Sequence, residues 1–287
     1  MSIYSLPAAD YHAGDFDDRP ALSKSIIHTL LTRSPLHAWT EHPKLNPGYQ
    51  REDSSVFDLG TVAHAMFLEG DGTGVVVLDF PDWRTKAAKE ARDEARALGQ
   101  IPMLSTHWDD VQALVAGMRE GIAAVRAEPP LFANGKPEQS IVWEEKGVLC
   151  KMRADWLHDD YSACDDLKTT ARSGAPEQFS RSLFSVGYDV QAAFYQRGIR
   201  SVSGRDCAFR LVVVETQSPY AVSVFELSPA ALALANQKID FALELWADCL
   251  KKDRWHGYPR QVMHVEPPTW EETRMYEREY REGGEAV

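Results

Sequence analysis

Between residues 139 and 169 the chain reads as three strand-like segments, about 139–145, 148–157 and 161–169, joined by the short turns Glu145-Lys146-Gly147 and His158-Asp159-Asp160. Connections of that length join antiparallel neighbours, so this stretch is expected to form a three-stranded meander around which the rest must pack. Alternation then decides which side chains share a face. In the middle strand Lys151, Arg153 and Asp155 fall on one face and Met152, Ala154 and Trp156 on the other. In the third, Asp166, Lys168 and Thr170 share a face, opposite Asp165, Leu167 and Thr169.

If the second turn is centred between Asp160 and Tyr161, Asp155 and Asp166 stand directly opposite each other with Cβ atoms about 5 Å apart. Two facing carboxylates repel, and a strand pair that holds them together usually has a cation between them. Hard oxygen ligands indicate Mg2+, with Mn2+ as a substitute. Lys168, two residues from Asp166 on the same face, can hold an attacking water or a phosphate beside the metal, and Arg153 can offset charge on a phosphorane-like transition state. These are the parts of phosphodiester hydrolysis.

Around the meander the chain reads mainly as helix. Segment 21–42 gives two short helices, with Ser23 capping the first and Ser34-Pro35 at the junction. Residues 54–69 form a helix with Val56, Leu59, Ala63, Met66 and Phe67 near one face and His64 inside it. A strand over 75–80 and helices over about 84–98 and 105–127 precede the meander; a helix from Pro176 to about 203, strands over 207–215 and 220–227 and a helix over 229–252 follow it. The last segment reads as a docked helix with a loose acidic end.

Hydrophobic residues at 44% and charged residues at 26% describe an ordinary globular protein. No apolar run approaches the roughly 18 residues of a membrane helix and no signal peptide is evident, so a cytoplasmic location is expected. Cys150, Cys164, Cys207 and Cys249 are too dispersed for a zinc or iron–sulfur site. A net charge of −12 counts against a DNA partner. It does not exclude one, because an acidic exterior can coexist with a basic groove or channel.

Taken together, R-x-D-W-L and D-L-K-T-T, preceded by L-G-T-V-A-H-A and followed by Q-A-A-F-Y, resemble the exonuclease VIII (RecE-type) nucleases of phages and prophages, in the RecB-like branch of the PD-(D/E)XK superfamily. The resemblance runs from the S-x-S segment near Ser23 to about Tyr195. It implies that Asp155 is the first acidic position, Asp166 and Lys168 the D-x-K element, His64 the upstream metal-binding histidine, and Gln191 and Tyr195 the Q-x-x-x-Y motif, whose i, i+4 spacing puts both on one helix face. Glu138 resembles an accessory acidic position and metal ligand. Arg153, Gln191, Tyr195 and Thr169 are the expected substrate contacts. The resemblance further implies digestion of linear double-stranded DNA from 5′ ends, leaving 3′ single strands for recombination through a RecT-like single-strand annealing protein. It also implies a ring-shaped homo-oligomer, a tetramer, with Lys151, Arg153 and Lys168 facing its channel.

Each residue also has a plainer reading. His64 alone is more often a core histidine bonded to a carbonyl, Lys151 and Arg153 a solvated stripe, and Asp159-Asp160 a turn. The other singled-out histidines, His28, His37, His42, His107 and His256, are read as structural or surface. The rival functions are a single-strand or endonucleolytic nuclease and a catalytically silent DNA-binding subunit.

The expected fold is α/β: a mixed, mostly antiparallel sheet of about five strands flanked by helices. It forms a single nuclease domain of an N-terminal helical part (1–130), a sheet core (131–260) and a tail (261–287). The metal is expected at one edge of the sheet.

Overall fold

The computed structural model describes residues 2–4, 6–50, 59–70 and 74–283. It divides into two units, Met1–His256 and Gly257–Val287. The second holds one described helix, Thr269–Gly283. Val56, expected on the 54–69 helix, lies outside the described residues.

The larger unit is built on a mixed sheet. Its strands, in chain order, are β1 (Ser2–Tyr4), β4 (Gly135–Glu145), β5 (Val148–His158), β6 (Ala163–Thr170), β7 (Ala208–Glu215) and β8 (Val222–Phe225), and they lie side by side in that order. All neighbours are antiparallel except β6 and β7. Five strands match the expectation; the three-residue β1 is a sixth, at the edge. A separate parallel pair, β2 (Val75–Leu78) and β3 (Ile101–Leu104), brackets the helix α5 (Lys86–Ala97). β3 falls between the two helices read from sequence, where four residues are too few for a periodic signal.

The meander forms as expected. Lys146 and Gly147 both take positive φ, 50° and 76°, which is the geometry that a two-residue hairpin needs to match strand twist. The parallel step from β6 to β7 passes through α7 (Pro176–Val186) and α8 (Tyr188–Ser203). The single helix expected there is broken at Gly187. That residue sits at φ 76°, and a Cβ on it would lie 2.6 Å from His28 Nδ1. Only glycine fits, and the break starts α8 at Tyr188, the helix that carries Gln191.

Helices cover both faces. On one, α2 (Lys24–Thr32), α8 and α9 (Pro229–Lys252) bury Ile27, Phe194 and Trp246 against Met152, Ala154 and Leu211. Ser23 caps α2 by accepting from the Ile26 N–H, and α3 (Pro35–Thr40) begins at the Ser34-Pro35 step as read. On the other face, α4 (Leu59–Glu69) and α6 (Trp108–Ala124) bury Val62, Leu114 and Met118 against Leu167, Val212 and Val214. All four cysteines are buried. No described helix is long and apolar enough to cross a membrane.

Candidate active site

The ladder between β5 and β6 is short. It pairs Trp156 with Asp165 and Leu157 with Cys164, and the same register carried one step further sets Asp155 opposite Asp166. At that step the strands part, and Asp155 Oδ2 accepts the Leu167 N–H at 2.9 Å in place of a backbone partner. The neighbouring β4–β5 ladder is interrupted at the same level. It runs from Pro137–Trp156 to Gln139–Ala154 and omits Glu138, which takes φ 54°. The break is felt along β5. Met152 and Ala154 pack with α8 and α9, whereas Trp156 packs with the α4 and α6 cluster. Strict alternation, which put all three on one face, therefore fails at Asp155. The notch is also not at a sheet edge as expected, because β5 and β6 are the two central strands.

Three side chains converge on the notch. Lys168 Nζ pairs with Asp166 Oδ2 and lies 3.7 Å from Asp155 Oδ2. His64, on α4, donates from Nε2 to Asp155 Oδ2 at 3.1 Å. Gln191, on α8, donates to Asp166 Oδ1 at 2.6 Å. Asp166 is fully buried, and beyond its ion pair with Lys168 its Oδ2 has no hydrogen bond.

The electrostatics pull the two carboxylates apart. Burial pushes Asp155 up, but Lys168 and then His64 outweigh it and hold its pKa below the usual carboxylate range. Burial pushes Asp166 up to about 7, with Lys168 opposing and Asp155 adding to the rise. Lys168 is lowered by burial, yet the two carboxylates raise it well above an ordinary lysine. His64 is likewise lowered by burial and lifted overall by Asp155.

The remaining expected residues are placed as follows. Arg153 is ion-paired with Glu138 and donates to the Leu6 carbonyl at 2.7 Å, so neither of these two charges stands free at the notch. Tyr195, one turn after Gln191, is buried and lines the same cavity as Asp155. Thr169 belongs with Leu167 on the far face, paired along the sheet with Val214, and is not brought to the carboxylates. Lys151 corrects the sequence reading. It is buried, donates to the Tyr11 carbonyl at 2.7 Å and lies 4.8 Å from the Tyr11 ring centre, so it is not part of a solvated stripe, although it lines the same cavity as Asp155.

Sequence reasoning missed Lys24 and Tyr188. Lys24 Nζ lies 5.3 Å from the Tyr188 ring centre, and Lys168 Nζ lies 5.6 Å from it. Lys24 and the serines beside it line a cavity of about 320 Å³ that also reaches Asp155, Gln191 and Tyr195. Nothing in S-K-S announces this, because the approach of α2 to β6 is tertiary.

The donor set fits a hard divalent cation. Two carboxylates face one notch, one of them with a buried oxygen lacking a hydrogen bond. Among the described residues no three His, Cys, Asp or Glu side chains are grouped so that they could hold a metal ion together, so the expected ligands His64 and Glu138 are not assembled with the two aspartates into one set. An open seat of one or two carboxylates completed by water and phosphate is what Mg2+ prefers.

A carboxylate pair on diverging central strands, with a lysine two residues after the second, is the arrangement expected from the resemblance to the PD-(D/E)XK nucleases. The chain belongs to the family described as PDDEXK-like domain of unknown function (DUF3799), whose model matches residues 28–263. No curated protein sequence matches it. A provisionally named exonuclease from Eubacterium rectale has a similar crystal structure, with a TM-score of 0.56 and 15% identity over 91% of this chain and 97% of that one. A phage-related exonuclease from Haemophilus somnus 129PT matches with a TM-score of 0.30 and 11% identity over 59% of this chain and 85% of that one.

Proposed function

We propose that the protein is a divalent-metal-dependent exodeoxyribonuclease acting on the ends of linear double-stranded DNA in the 5′ to 3′ direction. The observation that carries the reading is the notch itself, where Asp155 and Asp166 face each other and Lys168 reaches both. Asp155 and Asp166 would hold the cation, with His64 fixing Asp155 or joining it as a ligand. When bound, the cation polarises the phosphate and acidifies a water. Lys168 places its ammonium where negative charge grows on the phosphate oxygens, in a site dry enough for that charge to count. Gln191 fixes the plane of the Asp166 carboxylate, so the ligand does not reorient during reaction. The 3′ single strands left behind would suit a RecT-like annealing partner. A ring-shaped tetramer would reconcile the acidic surface with DNA; gel filtration showing a strict monomer with processive activity contradicts it.

The test is digestion of 5′-labelled and 3′-labelled linear duplex beside closed circles, with Mg2+ or EDTA. Loss of linear duplex alone, beginning at 5′ ends and only with Mg2+, is expected. Cut circles would make it an endonuclease, and binding without cleavage a silent subunit.

Acid should weaken the cation site. Asp166, held up to about 7 by burial, carries a proton below that pH, and an incoming cation must displace it. Mn2+ affinity measured by calorimetry is therefore expected to rise between about pH 6 and about pH 8, by up to tenfold per unit while Asp166 stays protonated. A flat profile would mean that no proton is displaced from Asp166 when the cation binds.

A further inference from the structure

Directly behind the notch, on the α4 side of the sheet, lies a buried ionic cluster that no catalytic step uses. Asp165 is fully buried, and Arg210 is 2% exposed. Arg210 donates to both Asp165 oxygens, from Nη2 to Oδ2 at 2.9 Å, and from Nη1 to the Pro129 carbonyl at 2.6 Å. His158 Nε2 lies 2.9 Å from the same Oδ2. That oxygen also accepts the backbone N–H of Phe132 at 2.7 Å. Three partners making four hydrogen bonds to one carboxylate tie β5, β6 and β7 to the loop over 129–132.

The loop ends in a strained residue with a definite target. Phe132 takes φ 52°, a conformation that a bulky side chain adopts only when its surroundings enforce it. Its ring meets Phe67 edge-on at 5.0 Å and Trp156 at 6.2 Å. Phe67 is on α4, three residues after His64, so the two side chains project toward neighbouring parts of one helix face. Trp156 directly follows Asp155. The two ends of the His64–Asp155 hydrogen bond are thus each braced against the same phenyl ring.

We propose that Phe132, held by the Asp165–Arg210 pair, is a positioning residue of the nuclease site: it wedges between Phe67 and Trp156 and thereby sets the distance between His64 and Asp155. A buried ion pair is a poor source of stability compared with apolar packing of the same volume. Its use here is to hold the backbone of Phe132 in one place through the Asp165 carboxylate. The inference rests on the metal-site reading above.

The test is Mn2+ binding by calorimetry on wild type, Phe132→Ala, His64→Ala and the double variant, with a thermal melt of each. Loss of a residue that orients a metal ligand typically weakens binding by about 10–100-fold. Phe132→Ala is expected to weaken Mn2+ binding by about tenfold or more at temperatures where it remains folded. The double variant should bind no more weakly than His64→Ala alone, since both changes remove the same contact. Unchanged affinity in Phe132→Ala, or losses that multiply in the double variant, would overturn the proposal and leave Phe132 as plain packing. If Phe132→Ala does not fold, Phe132→Leu keeps the bulk but loses the ring edge, and a loss of several-fold is expected; none would overturn it. A wild type that binds no Mn2+ would overturn the metal reading and this inference with it.

Discussion

Lys168→Ala is expected to cleave DNA about 10²–10³-fold more slowly than wild type, the loss that follows removal of one preorganised donor to a developing anion, about 3–4 kcal/mol. Its cation site should survive at about pH 8, because Lys168 pairs with the carboxylates but is not itself a ligand. Asp166→Ala is expected to lose both cleavage and Mn2+ binding. Rates of duplex digestion and calorimetric titration on the same preparations separate the two. If Lys168→Ala and Asp166→Ala lose Mn2+ equally, the lysine is holding the site together, and the role given to it in charge stabilisation is wrong.

The largest effect on folding is expected behind the notch. Asp165→Ala leaves the Arg210 guanidinium buried, with the Pro129 carbonyl and the His158 ring as its remaining partners. Breaking a buried pair from one side costs about 3–5 kcal/mol, because the surviving charge cannot be resolvated. For a unit of this size that corresponds to a fall in Tm on the order of 10 °C. Removing both charges, as Asp165→Leu with Arg210→Met, should recover part of the loss while the Phe132 N–H stays unpaired. Thermal melts of the single and double variants decide this, and a double variant less stable than the single would show that the pair is worth more than its desolvation.

Much of this was legible in the sequence, and for identifiable reasons. Asp155 and Asp166 could be set opposite each other because a tight turn fixes register, and the register found is the one that the Asp160–Tyr161 midpoint requires. Asp165 was rightly set apart from Lys168 by alternation, which holds along β6. Alternation misplaced Trp156 because β5 is irregular at Asp155. The ladder to the adjacent strand is interrupted at the same level, where Glu138 takes a positive φ, and β5's own residues do not announce that. Lys151 was misread for a related reason: its period placed it on a polar stripe, but the segment carrying Tyr11 covers that stripe. Lys24, Tyr188 and the Arg210–Asp165–Phe132 chain were invisible because they are joined only by tertiary contacts, across 45 residues between Asp165 and Arg210 and 33 between Asp165 and Phe132. Asp165 was noticed only as a rival to Asp166, and Phe132 gave no periodic signal at all.

The site is tested most directly by a crystal grown with Mn2+, in which anomalous scattering locates the ion without assumptions about the protein. One peak is expected between the Asp155 and Asp166 carboxylates, about 2 Å from at least one oxygen of each, with the Lys168 ammonium displaced from Asp166 Oδ2. A peak held by other residues, or a notch in which Lys168 still occupies Asp166 at saturating Mn2+, would contradict the reading of these three residues as a metal-dependent nuclease site.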